Sequence, residues 1–447
     1  MFIPLRYLSP RWLLVAGLAS WVLARLSIFF VDYEATLSFG AAFALIGYTV
    51  AFLAGTYAFS NALPPGAPKR VVFTAKGYRW TADVLFVATF VFLVLRFYDL
   101  LFVRGLLEIG DAQQLRNIDN TIVGDERVTS GIGFISGIGY PIAIPTFVFG
   151  VMFRRLLARW QMIVGTLLFV LYASYVVASG SRYILIGPFS MAVLAYVIAS
   201  GGFPLSKRKL GLTAVVALAG FVFLAHGTIQ RDILFGAMTR EDALLAAPDR
   251  KFFSVKPWFI EWFREQPAIV QDALAGQVEL GWYVTHGMYE FHKTWDFANP
   301  DEKAWGGVEF ATALYFFRMI GFDVPGEDVW RRNTPTWGFY STFFGPLYLD
   351  FGLWAGMGFC AVLGVLLSRL WQGVQRSNAT ALLFYPYAAT IVLNFWTSNL
   401  ITAGLGVPII AMTAVTAAIT RICLSVAPRR LLTPQRDARA FRFTASR

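Results

Sequence analysis

WLLVAGLASWVLARLSIFFV, residues 12–31, is the stretch that decides the fold. It carries one charge, Arg25, and it matches the roughly 20 apolar residues that a helix needs to cross a hydrocarbon core. It is too long for a signal peptide, and no small-x-small cleavage site leads into a soluble domain, so it reads as a retained membrane anchor. Further apolar runs follow, among them Leu167 to Ala178 and Leu210 to Ala225. Of 447 residues 57% are hydrophobic and 15% charged, against about a quarter charged in a globular domain, which makes lipid the main solvent.

The net charge of +11 would suit nucleic acid if it formed one patch, but the basic residues recur in short loops between apolar runs. That spacing is the positive-inside pattern and argues for no nucleic-acid partner. With the N-terminus, Arg6 and Arg11 set on the cytoplasmic side, the loops that fall there hold Lys69, Arg70, Lys76 and Arg79; Arg154, Arg155 and Arg159; Lys207, Arg208 and Lys209; and Arg369 and Arg376. The tail adds Arg429, Arg430 and Arg436. The opposite side receives Asp32 to Glu34, about 102–130, the turn 179–182 and a stretch from about 229 to 341 with 16 acidic against 11 basic residues. The expected fold is an all-α polytopic membrane protein of about ten helices, near 12–31, 37–60, 80–101, 132–153, 161–178, 183–200, 210–228, 342–367, 378–397 and 402–425. This divides the chain into seven spans over 1–228, one large outer loop over 229–341, three spans over 342–425 and a basic tail over 426–447, with both termini cytoplasmic.

A loop of that length is expected to build its own structure. Lys256 to Gln277 groups Trp258, Phe259, Trp262 and Phe263 at helical spacing and reads as an interfacial helix. Gly281 to Trp295 repeats the theme and Phe310 to Ile320 forms a third apolar segment, none long enough to span. No repeat of paired, broken helices is visible, which counts against a transporter or flippase.

Charges at a membrane edge are costly and therefore mark candidate sites. Arg182 lies in the turn Ser179-Gly180-Ser181-Arg182-Tyr183, where it either serves a ligand or snorkels to lipid phosphate. Arg331 and Arg332, in Arg331-Arg332-Asn333-Thr334-Pro335, can grip a pyrophosphate or pair with Glu327 and Asp328. Arg318 on an aromatic segment reads as an ion pair or a ligand contact. Asp350, in the run Thr342 to Gly352, is a base, a sugar ligand or the mate of an arginine such as Arg96, while Arg96 and Asp99 are spaced to satisfy each other. Tyr340, Glu290 and His226 complete the candidate substrate contacts. His226, His286 and His292 make no metal spacing, Cys360 and Cys423 no disulfide framework, and no phosphate loop, Asp-x-Asp or nucleophile elbow occurs, so neither metal nor cofactor is expected.

Ser179 to Arg182 between helices, a long outer loop and the Thr342 to Gly352 run ending in Asp-Phe-Gly together resemble the Wzy-type O-antigen and oligosaccharide repeat unit polymerases. The resemblance implies a GT-C-type glycosyltransferase of the bacterial inner membrane, inverting and metal-independent. It would join undecaprenyl-diphosphate-linked oligosaccharides at the periplasmic face, alongside a flippase and a chain-length regulator. Arg182, Arg331 and Arg332 are then expected to stabilise the leaving diphosphate, with Asp350, Glu290 or His226 as the base. An O-antigen ligase, a transporter of the same lipid-linked sugars and a non-catalytic scaffold are the competing readings.

Overall fold

The structure is a computed structural model that describes residues 2–33, 38–58, 75–103, 131–178, 186–204, 239–246, 253–311, 313–314, 317, 322, 329, 332–334, 341–401 and 406–427. These residues form a bundle of helices with two short antiparallel ribbons. In chain order the elements are β1 (Phe2–Pro4), α1 (Pro10–Ser27), β2 (Val31–Tyr33), α2 (Phe39–Ala58), α3 (Ala75–Tyr98), α4 (Gly131–Gly139), α5 (Ala143–Met152), α6 (Arg159–Ala178), α7 (Ile186–Ala199) and β3 (Gly202–Pro204). There follow α8 (Arg240–Ala246), β4 (Phe253–Val255), α9 (Pro257–Arg264), α10 (Ala268–Phe297), α11 (Phe344–Gln375), α12 (Ala379–Leu393) and α13 (Gly406–Val426).

Among the described residues six helical stretches are long and apolar enough to cross a membrane: Phe39–Ala58, Ala75–Val103, Ile132–Met152, Arg159–Val176, Phe344–Gln375 and Gly406–Val426. Their large apolar side chains, such as Phe43, Val87, Ile163 and Trp354, point outward, as the lipid-facing surface of a bundle requires. The expected helices at 12–31, 183–200 and 378–397 coincide with α1, α7 and α12, which are shorter or, for α1 with Arg11 and Arg25, more charged. The expected helix 210–228 lies outside the described residues.

The contacts sort the chain ends. β1 pairs with β3 at the start of α1, whereas β2 pairs with β4 at its finish. Arg11, at the start of α1, donates to the Thr56 carbonyl at the finish of α2. Arg79 donates to the Leu156 carbonyl, and Arg421 to the Thr380 hydroxyl. The basic loop residues that the structure describes therefore gather at the β1 end of the bundle, and the β2 end carries the segment that includes α9 and α10.

α11 and α2 run parallel and form the tightest seam. A Cβ at Gly55 would overlap the Ala361 carbonyl, and one at Gly364 the Phe52 carbonyl, so the backbones touch where only hydrogen fits. α12 begins with a cap: the Asn378 side chain accepts from the Ala381 N–H at 3.1 Å. Asn378→Ala is expected to cost about 1 kcal/mol, read as a small drop in the melting temperature of the purified protein.

Two features depart from the sequence reading. The two segments expected between Lys256 and Trp295 are instead the short α9 and one continuous helix, α10, of 30 residues. α10 is not laid on the surface; it packs into the β2 end of the bundle. Trp21 Nε1 donates to the Thr285 carbonyl, Gln277 donates to the Ser27 carbonyl, and a Cβ at Gly281 would press on Ile28. In α9 the four aromatics expected to group on one side divide instead, with Phe259 and Phe263 buried and Trp258 and Trp262 exposed. Phe259 stacks on Phe30 at 3.7 Å between centroids.

Candidate functional site

The Thr342 to Gly352 run lies at the β2 end and breaks its own helix. α11 starts at Phe344 but Gly352 has φ 66° and ψ −167°, a conformation essentially restricted to glycine. The kink leaves a short helical piece, 344–351, ahead of the long span, and Tyr48 on α2 donates to the Gly352 carbonyl at 3.0 Å. Before the piece, Thr342 bridges to Ser398, and the Phe343 N–H donates to the Phe395 carbonyl at 2.9 Å.

Asp350 ends this piece, fully buried. Its Oδ1 accepts the Val308 N–H at 2.9 Å and its Oδ2 the Glu309 N–H at 2.6 Å. The Asp350 carbonyl also accepts the Trp305 N–H at 3.2 Å, and the Leu349 carbonyl the Ala304 N–H at 3.1 Å. The carboxylate is thus a clasp that docks the 304–309 turn onto the motif. Its expected partnership with Arg96 is not formed. Arg96 sits elsewhere, 3.4 Å from Asp99, with Tyr175 Oη accepting from its Nε at 2.8 Å and its guanidinium against the rings of Tyr140 and Tyr175. The local pairing read from the three-residue spacing is present.

At the docked turn a lysine and aromatic rings gather into a cluster, here called the mouth. Trp295 at the end of α10 packs on Tyr348, centroids 4.6 Å apart, and Lys303 Nζ lies 5.0 Å from the Tyr348 ring centroid. Trp305, held at φ 49°, is 74% exposed. Partial burial lowers the pKa of Lys303 below that of an ordinary lysine, against the opposite pull of Asp301. Asn333 ties in the segment that carries Arg332: its Oδ1 accepts the Asn299 N–H at 2.7 Å, and its Nδ2 donates to Glu302 Oε2 at 3.1 Å and to the Val329 carbonyl at 3.0 Å. Arg332 is exposed, and its closest carboxylate among the described residues is Glu302 at 3.8 Å, a loose pair across water. Glu327 and Asp328, the alternative partners, lie outside the described residues, as do Arg182, Arg318, Arg331, Tyr340 and His226.

Glu290 is on the buried stripe of α10 with 2% exposure, one turn beyond His286. His286 stacks on Trp282 at 4.3 Å, and its Nδ1 lies 2.9 Å from the Trp282 carbonyl. The stripe also buries Asp272, which pairs with Arg240 at 2.6 Å. Two residues absent from the sequence-based set join the site, Glu309 and Asn399, whose side chains meet at 2.6 Å behind the clasp. Among the described residues no group of three or more His, Cys, Asp or Glu is placed to hold a metal ion.

A helical bundle with several membrane-length apolar helices and a polar mouth at one end defines a multi-pass membrane protein. Comparison with known proteins finds no matching family model, no matching curated protein and no matching solved structure.

Arg332 separates stability from chemistry. Arg332→Ala is expected to leave the melting temperature almost unchanged, since an exposed pair contributes at most about 1 kcal/mol. Product formation in the reaction proposed below is expected to fall by about 10²-fold, the usual loss when one donor to a developing anion is removed.

Proposed function

We propose that the chain is a polysaccharide repeat unit polymerase of the bacterial inner membrane, with ten spans, both termini cytoplasmic and the mouth on the periplasmic side. The observation that carries this reading is the clasp: Asp350 docks the turn that carries the exposed Trp305, Lys303 beside that turn lies over the Tyr348 ring, and Tyr348 packs on Trp295. Cations suit a diphosphate, aromatic faces suit sugar rings, and a position at the end of apolar helices suits substrates whose tails stay in lipid.

In the reaction, a hydroxyl of one undecaprenyl-diphosphate-linked repeat attacks the anomeric carbon of a glycan on a second carrier. A new C–O glycosidic bond forms as the bond from the anomeric carbon to the diphosphate oxygen breaks, the diphosphate leaves with the electron pair, and the hydroxyl proton passes to a base or to water. Arg182, Arg331 and Arg332 stabilise the charge that develops on the leaving group. Asp350 holds the site together rather than taking the proton, because it is fully buried and both its oxygens are occupied by backbone N–H groups. Deleting the gene in its host is the cellular test. Loss of long polysaccharide with accumulation of single lipid-linked repeats supports the reading, whereas long chains that persist but no longer reach their final acceptor point to a ligase.

A further inference from the structure

Glu309 is a buried acid that the proposed reaction leaves unused. It is fully buried, its Oε2 accepts from Asn399 Nδ2 at 2.6 Å, and its Oε1 has no hydrogen-bond partner among the described residues. Asn399 also donates to the Phe343 carbonyl at 3.2 Å, and its Oδ1 accepts the Ile401 N–H at 2.9 Å. On the other side, the Glu309 N–H is one of the two held by Asp350. Glu309 therefore joins three pieces of chain: the 304–309 turn, the start of α11 and the segment after α12.

Among the described residues the titratable groups that face it are Asp350 from the start of α11, Cys360 from beyond the kink and Tyr387 from α12, all of them acids. Among the described residues no cation pairs with it. An isolated carboxylate in such a place is far costlier than a neutral acid. Burial first, and the Asp350 charge second, push the Glu309 carboxyl well above the usual carboxylate range, against the lowering effect of the Asn399 bond.

We propose that Glu309 is a positioning residue that works as an uncharged acid, tying the docked turn to the segment after α12 and so fixing the mouth. The use of that mouth rests on the polymerase reading; the tie itself does not. The pH dependence has a definite sign. A carboxyl whose folded value is raised keeps its proton through the ordinary range, so the tie is intact at low pH. It is lost as pH rises through the raised value, when Glu309 and Asp350 become neighbouring anions in a dry site.

The test is the labelling of a cysteine by a membrane-impermeant maleimide in the full chain in nanodiscs, with Cys360 and Cys423 changed to Ala. Val308→Cys probes the turn, since Val308 is fully buried, and Trp305→Cys, at a 74% exposed position, corrects for the intrinsic rise of thiol reactivity with pH. With Glu309 present, the ratio of the two rates is expected to be at least about tenfold below unity at low pH and to climb as pH is raised well above the ordinary carboxylate range. Glu309→Gln, a neutral isostere, is expected to stay protected at every pH, and Glu309→Ala to label freely at every pH. Three results overturn the proposal: Gln labelling as fast as Ala, Ala as protected as the parent, or a parent ratio that is flat with pH. The expected pattern in a protein that makes no polymer supports the tie and overturns the polymerase reading alone.

Discussion

Asp350→Ala is expected to be the most damaging single change at the mouth, in both stability and product. The substitution strips the acceptor from two N–H groups, those of Val308 and Glu309, at a fully buried position. An orphaned buried donor costs about 1–3 kcal/mol, so the pair amounts to roughly 2–6 kcal/mol, a large share of the stability of most folds. Asp350→Asn is expected to fall between Ala and the parent: its one carbonyl oxygen keeps one N–H satisfied, while its NH2 group faces the other N–H donor to donor. Thermal unfolding of the three purified proteins checks this order. If Asn and Ala behave alike and both resemble the parent, Asp350 is not a clasp.

Gly352→Val is expected to prevent the kink that gives the short 344–351 piece its direction. At φ 66° and ψ −167° a residue with a Cβ pays about 1–3 kcal/mol in backbone strain, and a β-branched one pays at least that much. A Cβ there would also stand 3.0 Å from Lys303 Cε, so the lysine has to move away from the mouth. The straightened alternative carries Asp350 out of register with the turn it holds. Lost expression or a steep fall in melting temperature is the expected result, with Gly352→Ala milder in the same direction.

The membrane helices were legible because hydropathy over about 20 residues is a strong signal and the basic loops repeat at one end. The long apolar runs at 37–60, 80–101 and 342–367 coincide with α2, α3 and α11 to within a few residues at most ends. The region ahead of α11 was less legible. On the sequence alone one segment ends at Gln277 and the next starts at Gly281, yet Gln277 bonds to the end of α1 and Gly281 makes room for Ile28, so α10 runs straight through. A residue that weakens a helix on propensity is retained when a neighbour needs the space.

Within the candidate site, the Thr342 to Gly352 run stands out in the sequence, but the clasp its aspartate forms does not. A lone acid among apolar residues advertises a partner without saying which, and backbone N–H groups 41 and 42 residues away leave no pattern in the sequence. Glu309 was missed for a related reason: the acid lies in a glycine-rich turn where exposure is the natural reading, and only the approach of Asn399 and Asp350 reveals its burial. Asn333 was passed over for the two arginines before it, although it is the member of that cluster seen to be fixed.

The most direct measurement is the length of glycan formed when the purified protein in nanodiscs, with chelator present, receives synthetic undecaprenyl-diphosphate repeat units. A ladder of lipid-linked products is expected, one that collapses in the Arg182→Ala and Arg332→Ala proteins while their melting temperatures hold. Substrate left unextended by the parent protein, or a ladder undiminished in both variants, would contradict it.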